Sequence, residues 1–348
     1  MKILIITQKV DAHDPVLGFF CRWIKEFSLH TEQVTVLCLS EGIHDLPQAI
    51  RVISLGKGRI HRLINLFRQI INLRNEYDVV FVHMNPEYVV VGGLIWKILS
   101  KPIALWYTHK SVTWKLRIAE RLSNIVFTAS HESFRLLSDK LHVMGHGIDV
   151  NQFNPVKKDL SVIFKILSAG RISPYKEYEI IIQAIALVQK KSRKGICLDI
   201  IGTPAMSSDY KYLESLKKIV EENNLSTIIR FRGAISHDQL PQEFASADLF
   251  VHASKTGSLD KVLLEAMASG IPVISSSDVA TNLLEDPLLI IEPRNPEAFS
   301  RAILRMVDTS PEERSSIGVK LRNSVIRNHD ITTLIQKIVT DLICFVSK

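Results

Sequence analysis

The residues from Lys255 to Ser275 are, by type and spacing, the best suited in the chain to bind a phosphorylated ligand. Their order, KTGSLDKVLLEAMASGIPVIS, predicts a short loop, a helix that begins near Lys261 and stops at Gly270, and a buried strand. Lys261 falls in the first helical turn, where the helix dipole disfavours a cation by about a few tenths of a kcal/mol, and a bound anion would reverse that effect. Backbone N–H groups of the loop would then cradle a phosphate. A solvated junction between strand and helix is the alternative for this loop taken alone.

Glu265 lies one turn further along the predicted helix, where its carboxylate could accept hydrogen bonds from the two hydroxyls of a ribose. The segment LLEAMASGIPVI around it resembles the signature of the retaining GT4-type (group 1) glycosyltransferases, in which one glutamate stands eight residues before another. Glu265 matches the second glutamate, and Gly257 stands where family members carry the first, which holds the donor sugar. The resemblance implies that Gly257, Ser258 and Leu259 contact the donor. Asp260 either replaces the missing carboxylate or only caps its helix.

The segment SAGRISPYKEYEII resembles the donor-binding segment of the same family. Gly170 and Arg171 match its Gly-Arg pair, and Lys176 matches a lysine five residues after the arginine. Arginine offers a planar fork of donors and lysine a point charge, and together they suit two phosphates that leave from a sugar carbon. The resemblance also implies that the nucleotide base lies against the strand ends at Gly202 and Gly233.

Several polar residues of the first half directly follow predicted strands, and ligands of open α/β sheets bind beyond the carboxyl ends of strands. His109 follows the strand IALWYT, where the family carries a histidine that approaches the donor sugar. The resemblance assigns Asp14, Gly18 and Asn85 to the acceptor side. The family usually has two adjacent glycines in the loop after the first strand, whereas here Gly18 stands alone.

Short apolar runs alternate with amphipathic ones along the whole chain, which predicts an α/β protein with parallel, doubly wound sheets. The loop after the first strand lacks G-x-G-x-x-G, which argues against a dinucleotide dehydrogenase. The resemblance implies the GT-B fold, in which two Rossmann-like domains face each other across a ligand cleft. We predict an N-terminal domain over residues 1–153 and a nucleotide-sugar-binding domain over 154–329, with a last helix, about 330–348, that packs back on the first domain.

The same periodicity assigns individual elements. The predicted strands are 2–6, 34–39, 51–54, 79–83, 103–107, 125–128, 141–144, 163–168, 197–201, 228–232, 249–252, 272–275 and 288–291. The predicted helices are 18–28, 59–76, 88–99, 114–122, 133–140, 177–191, 209–223, 238–245, 261–269, 297–302, 311–328 and 331–345.

The composition fits two ordinary domains, because 46% of the 348 residues are hydrophobic. The four cysteines lie far apart and form no C-x-x-C pair, which argues against a disulfide framework or a zinc site and suits a reducing cytoplasm. The apolar runs are too short for a signal peptide or a spanning helix. We therefore expect a cytoplasmic protein that is soluble or peripheral on the inner face of the cell membrane.

The formal net charge of +7 comes mostly from the first 150 residues, which hold 18 basic and 13 acidic residues. No zinc-finger or RNP1-like motif favours nucleic acid, so acidic lipid or a sugar phosphate is the expected partner. The segment 59–76 combines helical apolar spacing with Arg59, Arg62 and Arg68 and has no acidic residue before Glu76. It is either a core-packed helix with a solvated basic side or a basic amphipathic helix on anionic lipid.

These features predict a glycosyltransferase that moves a sugar from a UDP- or GDP-sugar to a hydroxyl of a glycan or lipid-linked acceptor. Arg171, Lys176 and the helix start near Ser258 would neutralise the leaving diphosphate, and His109 and Asp260 complete the predicted catalytic set. No D-x-D motif is present, so no metal or other cofactor is expected. The resemblance implies retention of configuration by same-face attack. The alternatives are a nucleotide-sugar epimerase of the same fold and a non-catalytic nucleotide-sugar-binding relative.

Overall fold

A computed structural model of the protein describes residues 1–14, 16–156, 162–255, 257 and 259–346. The chain in these ranges divides into two compact units, one made of Met1–Asp149 with His329–Lys348 and the other of Val150–Asn328. The boundary expected from the sequence, between residues 153 and 154, lies a few residues further along the chain.

Strands and helices alternate through both units. The strands are β1 (Lys2–Val10), β2 (Gln33–Glu41), β3 (Arg51–Ser54), β4 (Val79–His83), β5 (Ile103–Trp106), β6 (Ile125–Thr128), β7 (Leu141–Val143), β8 (Ile163–Ala169), β9 (Gly195–Ile201), β10 (Ile229–Gly233), β11 (Leu249–His252) and β12 (Val273–Ser275). The helices are α1 (Phe19–His30), α2 (Arg59–Asn72), α3 (Pro86–Ile98), α4 (Trp114–Leu122), α5 (Tyr178–Lys191), α6 (Ser207–Glu222), α7 (Leu240–Ser246), α8 (Lys261–Ala268), α9 (Pro296–Asp308), α10 (Pro311–His329) and α11 (Ile331–Val346).

The first unit is built on a parallel sheet with the strand order β3-β2-β1-β4-β5-β6-β7 among the described residues. Alternate residues of β1 face opposite sides of this sheet. Ile3 and Ile5 belong to a core that contains residues of α1 and α11, whereas Leu4 and Ile6 belong to a core that contains residues of α2, α3 and α4. Both faces of the sheet are therefore covered, as a doubly wound α/β fold requires.

The second unit is built on a parallel sheet whose order, over the part of the chain that is described, is β10-β9-β8-β11-β12. The chain order reverses direction between β8 and β11, which lie side by side. In doubly wound sheets, this switch point is where ligands bind beyond the carboxyl ends of the strands. The topology therefore predicts a ligand site at the carboxyl edge of this sheet.

Arg322 of α10 fastens the first residues of the second unit to the end of α8. Its guanidinium donates to the main-chain oxygens of Val150 (2.9 Å) and Phe153 (2.6 Å) and to the side-chain oxygen of Asn154 (2.7 Å). It also donates to the main-chain oxygen of Ala268. One side chain thus holds two segments that lie far apart in the sequence.

Two predicted elements are wrong. The predicted helix 133–140 is a 3-10 turn, His131–Ser133, followed by irregular chain. Phe134 and Leu136 pack on the core while Leu137 is 98% exposed, so burial here follows a spacing of two residues and not of 3.6.

The predicted strand 288–291 is a 3-10 turn, Pro287–Leu289, followed by an isolated bridge between Ser275 and Ile290. The Asp286 carboxylate accepts a hydrogen bond from the Leu288 N–H at 2.9 Å, and this local bond starts a turn instead of a strand. The other differences are shifts in length: α2 ends at Asn72 instead of residue 76, and α9 continues to Asp308, beyond the predicted 302.

The predicted α/β class with parallel, doubly wound sheets is confirmed. Within the described ranges, none of the helices combines the length and the apolar character that a bilayer crossing needs.

Candidate functional site

Glycines line the carboxyl edge of the second sheet at the places where the sequence predicted a nucleotide site. Gly170 follows β8, Gly202 follows β9 and Gly233 ends β10, with φ angles of 144°, 141° and 74°. The Gly202 N–H donates to the Gly233 carbonyl at 2.8 Å. A Cβ atom at Gly202 would lie 1.9 Å from the carbonyl oxygen of Gly170, so no side chain fits there. The edge therefore presents backbone groups to a ligand.

A buried ionic cluster lies at the same edge. Lys176 is on a 3-10 turn, Pro174–Lys176, after β8, and its Nζ lies 2.6 Å from Asp260 Oδ2. The same carboxylate oxygen lies 2.8 Å from His252 Nε2, at the end of β11. His252 Nδ1 lies 2.9 Å from Ser275 Oγ, at the end of β12. Of these four residues, the sequence prediction named Lys176 and Asp260 and missed His252 and Ser275.

The protonation states of the cluster follow from its burial and charges. Burial alone would raise the pKa of Asp260, but the His252 hydrogen bond and the Lys176 charge outweigh it and hold that pKa well below its usual range. Burial lowers the pKa of His252, so its imidazole is neutral at pH 7. A carboxylate can only accept hydrogen bonds, so the network assigns the proton to Nε2, which donates to Asp260, and Nδ1 accepts from the Ser275 hydroxyl.

Asp260 precedes α8 but accepts no capping hydrogen bond from the described residues of that helix. The interpretation of Asp260 as only a helix cap is therefore wrong. Its carboxylate is used to hold Lys176 and His252. Whether it also replaces the missing glutamate of the family motif stays a prediction.

Glu265 is buried on α8, and its Oε1 lies 3.0 Å from His237 Nε2. Burial alone would raise the pKa of Glu265, but the His237 hydrogen bond and the charges of His237 and Lys261 lower it, so the carboxylate is ionised. The ring of His237 packs edge-on against Phe153. The sequence prediction missed His237, whose only signal was its position after the strand end at Gly233.

A second ionic cluster, also missed, surrounds Glu177, the residue after Lys176. Its buried carboxylate lies 2.5 Å from Lys255 Nζ and 3.3 Å from Arg294 Nη1, and Arg294 also contacts Asp278 at 2.8 Å. The Lys255 N–H donates to the Tyr175 carbonyl at 2.8 Å. The loop that begins at Lys255 and the helix that follows it are thus tied to the turn after β8 at both ends, through Lys255 and through Asp260.

The remaining predicted donor residues are Arg171, Gly257, Ser258 and Leu259. Arg171 is exposed, and its side chain has no hydrogen bond or ion pair with the described residues. Gly257 has a φ of 62°, in the left-handed region that favours glycine. Leu259 is buried, and Ser258 lies outside the described residues. No group of three or more His, Cys, Asp and Glu side chains that could hold a metal ion occurs among the residues described.

Of the predicted residues of the first unit, His109 and Asp14 make local bonds, whereas Asn85 bonds to a residue 77 positions away in the sequence. His109 is exposed, and its Nδ1 accepts from the Ser111 N–H at 3.1 Å. Asp14 accepts from Lys9 Nζ at 2.8 Å and from the N–H groups of its own loop. Asn85 Oδ1 accepts from Gln8 Nε2 at 2.9 Å.

Gly18 shows why the loop after β1 needs a glycine. A Cβ atom at this position would lie 2.6 Å from the carbonyl oxygens of both Ala12 and Asp14. The Gly18 N–H donates to the Asp14 carbonyl at 3.0 Å, so the loop closes tightly on itself. This loop conformation therefore requires a glycine at position 18, and the assignment of Gly18 to the acceptor side stays a prediction.

Residues 156–324 match the family model described as glycosyl transferases group 1. This part of the chain belongs to the group 1 glycosyl transferases. The resemblance drawn from the segments around Gly170 and Glu265 is thereby confirmed. Lys176, Asp260 and His237 lie inside the matched region, so both histidine–carboxylate contacts of the site are formed within the family domain.

Individual relatives share moderate identity with the chain. D-inositol 3-phosphate glycosyltransferase of Streptomyces scabiei is 26% identical over 192 residues, which are 49% of this chain and 42% of that protein. Sulfoquinovosyl transferase SQD2 of Arabidopsis thaliana is 25% identical over 297 residues, which are 74% of this chain and 55% of that protein. The chain spans less than half of the length of the first curated relatives it matches, at 42%, 47% and 33%.

The fold is shared over nearly the whole chain with solved structures. HepE of Anabaena in complex with UDP and glucose has a TM-score of 0.78 and 20% identity, covering 98% of this chain and 99% of that one. Sucrose-phosphate synthase of Thermosynechococcus elongatus has a TM-score of 0.78 and 15% identity, with 100% of each chain covered. These similarities confirm the predicted GT-B fold class.

Proposed function

We propose that the protein is a glycosyltransferase that moves a sugar from a nucleoside diphosphate donor to an acceptor hydroxyl in the synthesis of a glycan, polysaccharide or glycolipid. The observation that carries this proposal is the joint placement of Glu265 and Lys176 around α8. Glu265 offers a buried, ionised carboxylate for the ribose hydroxyls. Lys176, on the turn after β8, places its Nζ 2.6 Å from Asp260 at the start of the same helix, where the diphosphate would be. The group 1 match over residues 156–324 supports the same reaction class.

The chemistry assigned to the site is neutralisation of the leaving diphosphate. A glycosidic bond breaks through an oxocarbenium-like state, and negative charge then grows on the phosphates. Arg171, which is exposed and has no partner among the described residues, and Lys176 supply the compensating charge, so we propose no metal cofactor. Retention by same-face attack follows from the family resemblance.

The proposed donor is a UDP- or GDP-sugar, with UDP-glucose the first to test. The structurally similar HepE of Anabaena has been solved with UDP, with UDP and glucose, and with UDP-glucose. In the present protein the base would lie against the backbone at Gly202 and Gly233, because these positions offer no side chains.

Incubation with UDP-glucose and, separately, GDP-mannose tests the proposal. Slow release of free UDP or GDP is the expected result, with a faster rate when an acceptor is added. An epimeric sugar would show an epimerase instead, and binding without turnover would show a non-catalytic relative. Glu265→Ala should abolish turnover at low donor concentration, whereas the matched control Glu222→Ala, on the exposed surface of α6, should leave it unchanged.

We propose in addition that α2 docks on an anionic membrane. Leu66 and Ile70 pack this helix on the sheet, while Ile60, Ile64 and Ile71 are 73%, 58% and 48% exposed. The apolar stripe that would face the core in an ordinary packed helix therefore faces outward. Leu94 and Ile98 of α3, which packs beside α2, are exposed as well.

The charges of the α2 surface fit anionic lipid. No acidic residue occurs from Lys57 to Asn75, and Lys57, Arg59, Arg68 and Arg74 are exposed. Arg62, by contrast, donates to the Gly56 carbonyl at 2.8 Å and holds the preceding loop. Basic groups near an anionic bilayer contribute roughly 1 kcal/mol each, and exposed apolar side chains insert at the interface.

Vesicle sedimentation tests the membrane proposal. The protein should pellet with vesicles that contain phosphatidylserine and should be released by salt, which shortens the Debye length to about 10 Å at 0.1 M. Replacement of Arg59, Arg68 and Arg74 by Gln should abolish pelleting. The matched control replaces three exposed lysines of α6, Lys211, Lys217 and Lys218, by Gln and should pellet normally. Absence of pelleting of the unmodified protein at low salt would refute the proposal.

A further inference from the structure

Lys176 already has its charge neutralised inside the protein. Asp260 Oδ2 accepts hydrogen bonds from both Lys176 Nζ at 2.6 Å and His252 Nε2 at 2.8 Å. Lys176 is also the residue to which the proposed function assigns the donor diphosphate. When an ammonium group leaves a buried pair, the carboxylate stays behind uncompensated, which is strongly unfavourable. Another group must therefore compensate Asp260 when a donor binds.

His252 is placed to compensate it. Its Nε2–H donates to Asp260, and its Nδ1 is a basic nitrogen that accepts from the Ser275 hydroxyl at 2.9 Å. If Nδ1 takes up a proton, the Ser275 hydroxyl can rotate and accept the new N–H. Ser275 Oγ already accepts from the Ser277 N–H at 3.2 Å, and a hydroxyl oxygen has a second lone pair. Nδ1 of His252 thus has a hydrogen-bond partner in both protonation states.

The charged groups acting on His252 are Asp260 and Lys176, and the ring of Phe250 stacks against it with centroids 6.3 Å apart. Burial lowers the pKa of His252, Asp260 raises it, and the charge of Lys176 lowers it again. A diphosphate that draws Lys176 away would remove the positive charge that lowers the pKa of His252, and it would add negative charge nearby. The pKa of His252 should therefore rise when a diphosphate binds.

We propose that Asp260 and His252 are positioning residues, which hold Lys176 in the ligand-free protein and release it to the donor diphosphate while His252 takes up one proton from solvent. This inference rests on the proposed function. The one new covalent bond is N–H at His252 Nδ1, and no electrons are transferred. The Lys176–Asp260 pair is replaced by a Lys176–phosphate pair and a His252–Asp260 pair, both between opposite charges. Donor affinity should therefore fall as pH rises, by at most about tenfold per pH unit for one proton.

Calorimetric titration with UDP-glucose tests this coupling. The binding enthalpy is measured at pH 7 in phosphate, Hepes and Tris, whose ionisation enthalpies differ, and the slope gives the number of protons taken up. The phosphates of a nucleotide sugar do not titrate near neutral pH, so the slope reports on the protein. Uptake approaching one proton is expected for UDP-glucose. Uridine, which has no phosphate to attract Lys176, should bind without uptake. GDP-mannose is the probe if UDP-glucose does not bind.

Two variants locate the proton. His252→Gln keeps a donor toward Asp260 but cannot be protonated, and Asp260→Asn removes the charge that favours the imidazolium, so both should bind UDP-glucose without proton uptake. Donor binding with no uptake in the unmodified protein would overturn the inference and leave the proposed function intact, and so would uptake that persists in both variants. If no nucleotide sugar binds at all, the proposed function and this inference both fail. Thermal unfolding verifies that each variant is folded, and either variant alone suffices for the test.

Discussion

Lys176 and Glu265 of the second unit are held differently from His109 of the first unit. In the second unit, Lys176 and Glu265 are buried, and each is bonded to another charged or polar side chain from a distant part of the chain. In the first unit, His109 is exposed and accepts a hydrogen bond from a backbone N–H two residues away. A network of long-range buried bonds fixes its side chains before a ligand arrives, whereas an exposed side chain with one local bond is held less firmly. We therefore infer that the proposed donor site of the second unit is preorganised.

The largest expected effect is on stability, where a substitution at Lys176 should cost far more than one at His109. Lys176→Met removes one partner of a buried ion pair and leaves Asp260 with His252 alone, so it should lower the free energy of unfolding by about 3 kcal/mol. His109→Ala removes an exposed ring and should change it by less than about 0.5 kcal/mol. Urea unfolding followed by circular dichroism measures both. Equal stability of the two variants would remove the contrast between the units.

Substitutions at Glu265 and His109 should also differ in their effect on nucleotide affinity. Glu265→Ala deletes a charged acceptor of hydroxyl hydrogen bonds, which contributes about 1.5–3 kcal/mol, so binding of UDP or GDP should weaken by roughly 10 to 150-fold. His109→Ala should leave binding of the free nucleotide unchanged, because this residue is predicted to meet the sugar. Titration calorimetry with UDP and with GDP gives both constants. Unchanged affinity of Glu265→Ala would exclude the ribose role.

Acid stability tests whether the first unit has buried titratable groups away from its predicted site. Burial lowers the pKa of His329, at the end of α10, from 6.5 to about 4. The unfolded chain therefore binds this proton more readily, and the stability due to the neutral form is present above pH 6.5 and is lost as pH falls toward 4. The loss is on the order of 3 kcal/mol, at about 1.4 kcal/mol per pKa unit. His329→Gln should flatten the decline of the unfolding midpoint between pH 7 and pH 4, and an unchanged slope would contradict this origin.

The smallest effect concerns the altered motif. Gly257 has a φ of 62°, and a side chain in the left-handed region costs about 1 kcal/mol, so Gly257→Ala should lower the free energy of unfolding by that amount. Gly257→Asn should cost less, because asparagine tolerates this conformation. Gly257→Glu should not raise turnover, since a glutamate here would start from a strained backbone. An increase in turnover would show that the family carboxylate can still act from this position.

The sequence predicts the parts of the site that are set by neighbouring residues. Glu265 and the glycines at 170, 202 and 233 follow from local motifs and strand ends, because short-range spacing determines where a loop meets a helix. His252, Ser275 and His237 could not be predicted as partners, because their contacts depend on which strands lie side by side and on the register between them. Local bonds can also override a pattern, as the Asp286 turn does in the predicted strand 288–291.

The Arg322 contacts determine where the chain can be divided for biochemical work. A fragment of the second unit that began at Pro155 would lack the oxygen acceptors of Val150, Phe153 and Asn154. Of its present partners, the half-buried guanidinium of Arg322 would then keep only the main-chain oxygen of Ala268. Loss of such bonds to a charged donor costs several kcal/mol in total. Segmental isotope labelling or split-protein reassembly should therefore use a junction before Val150.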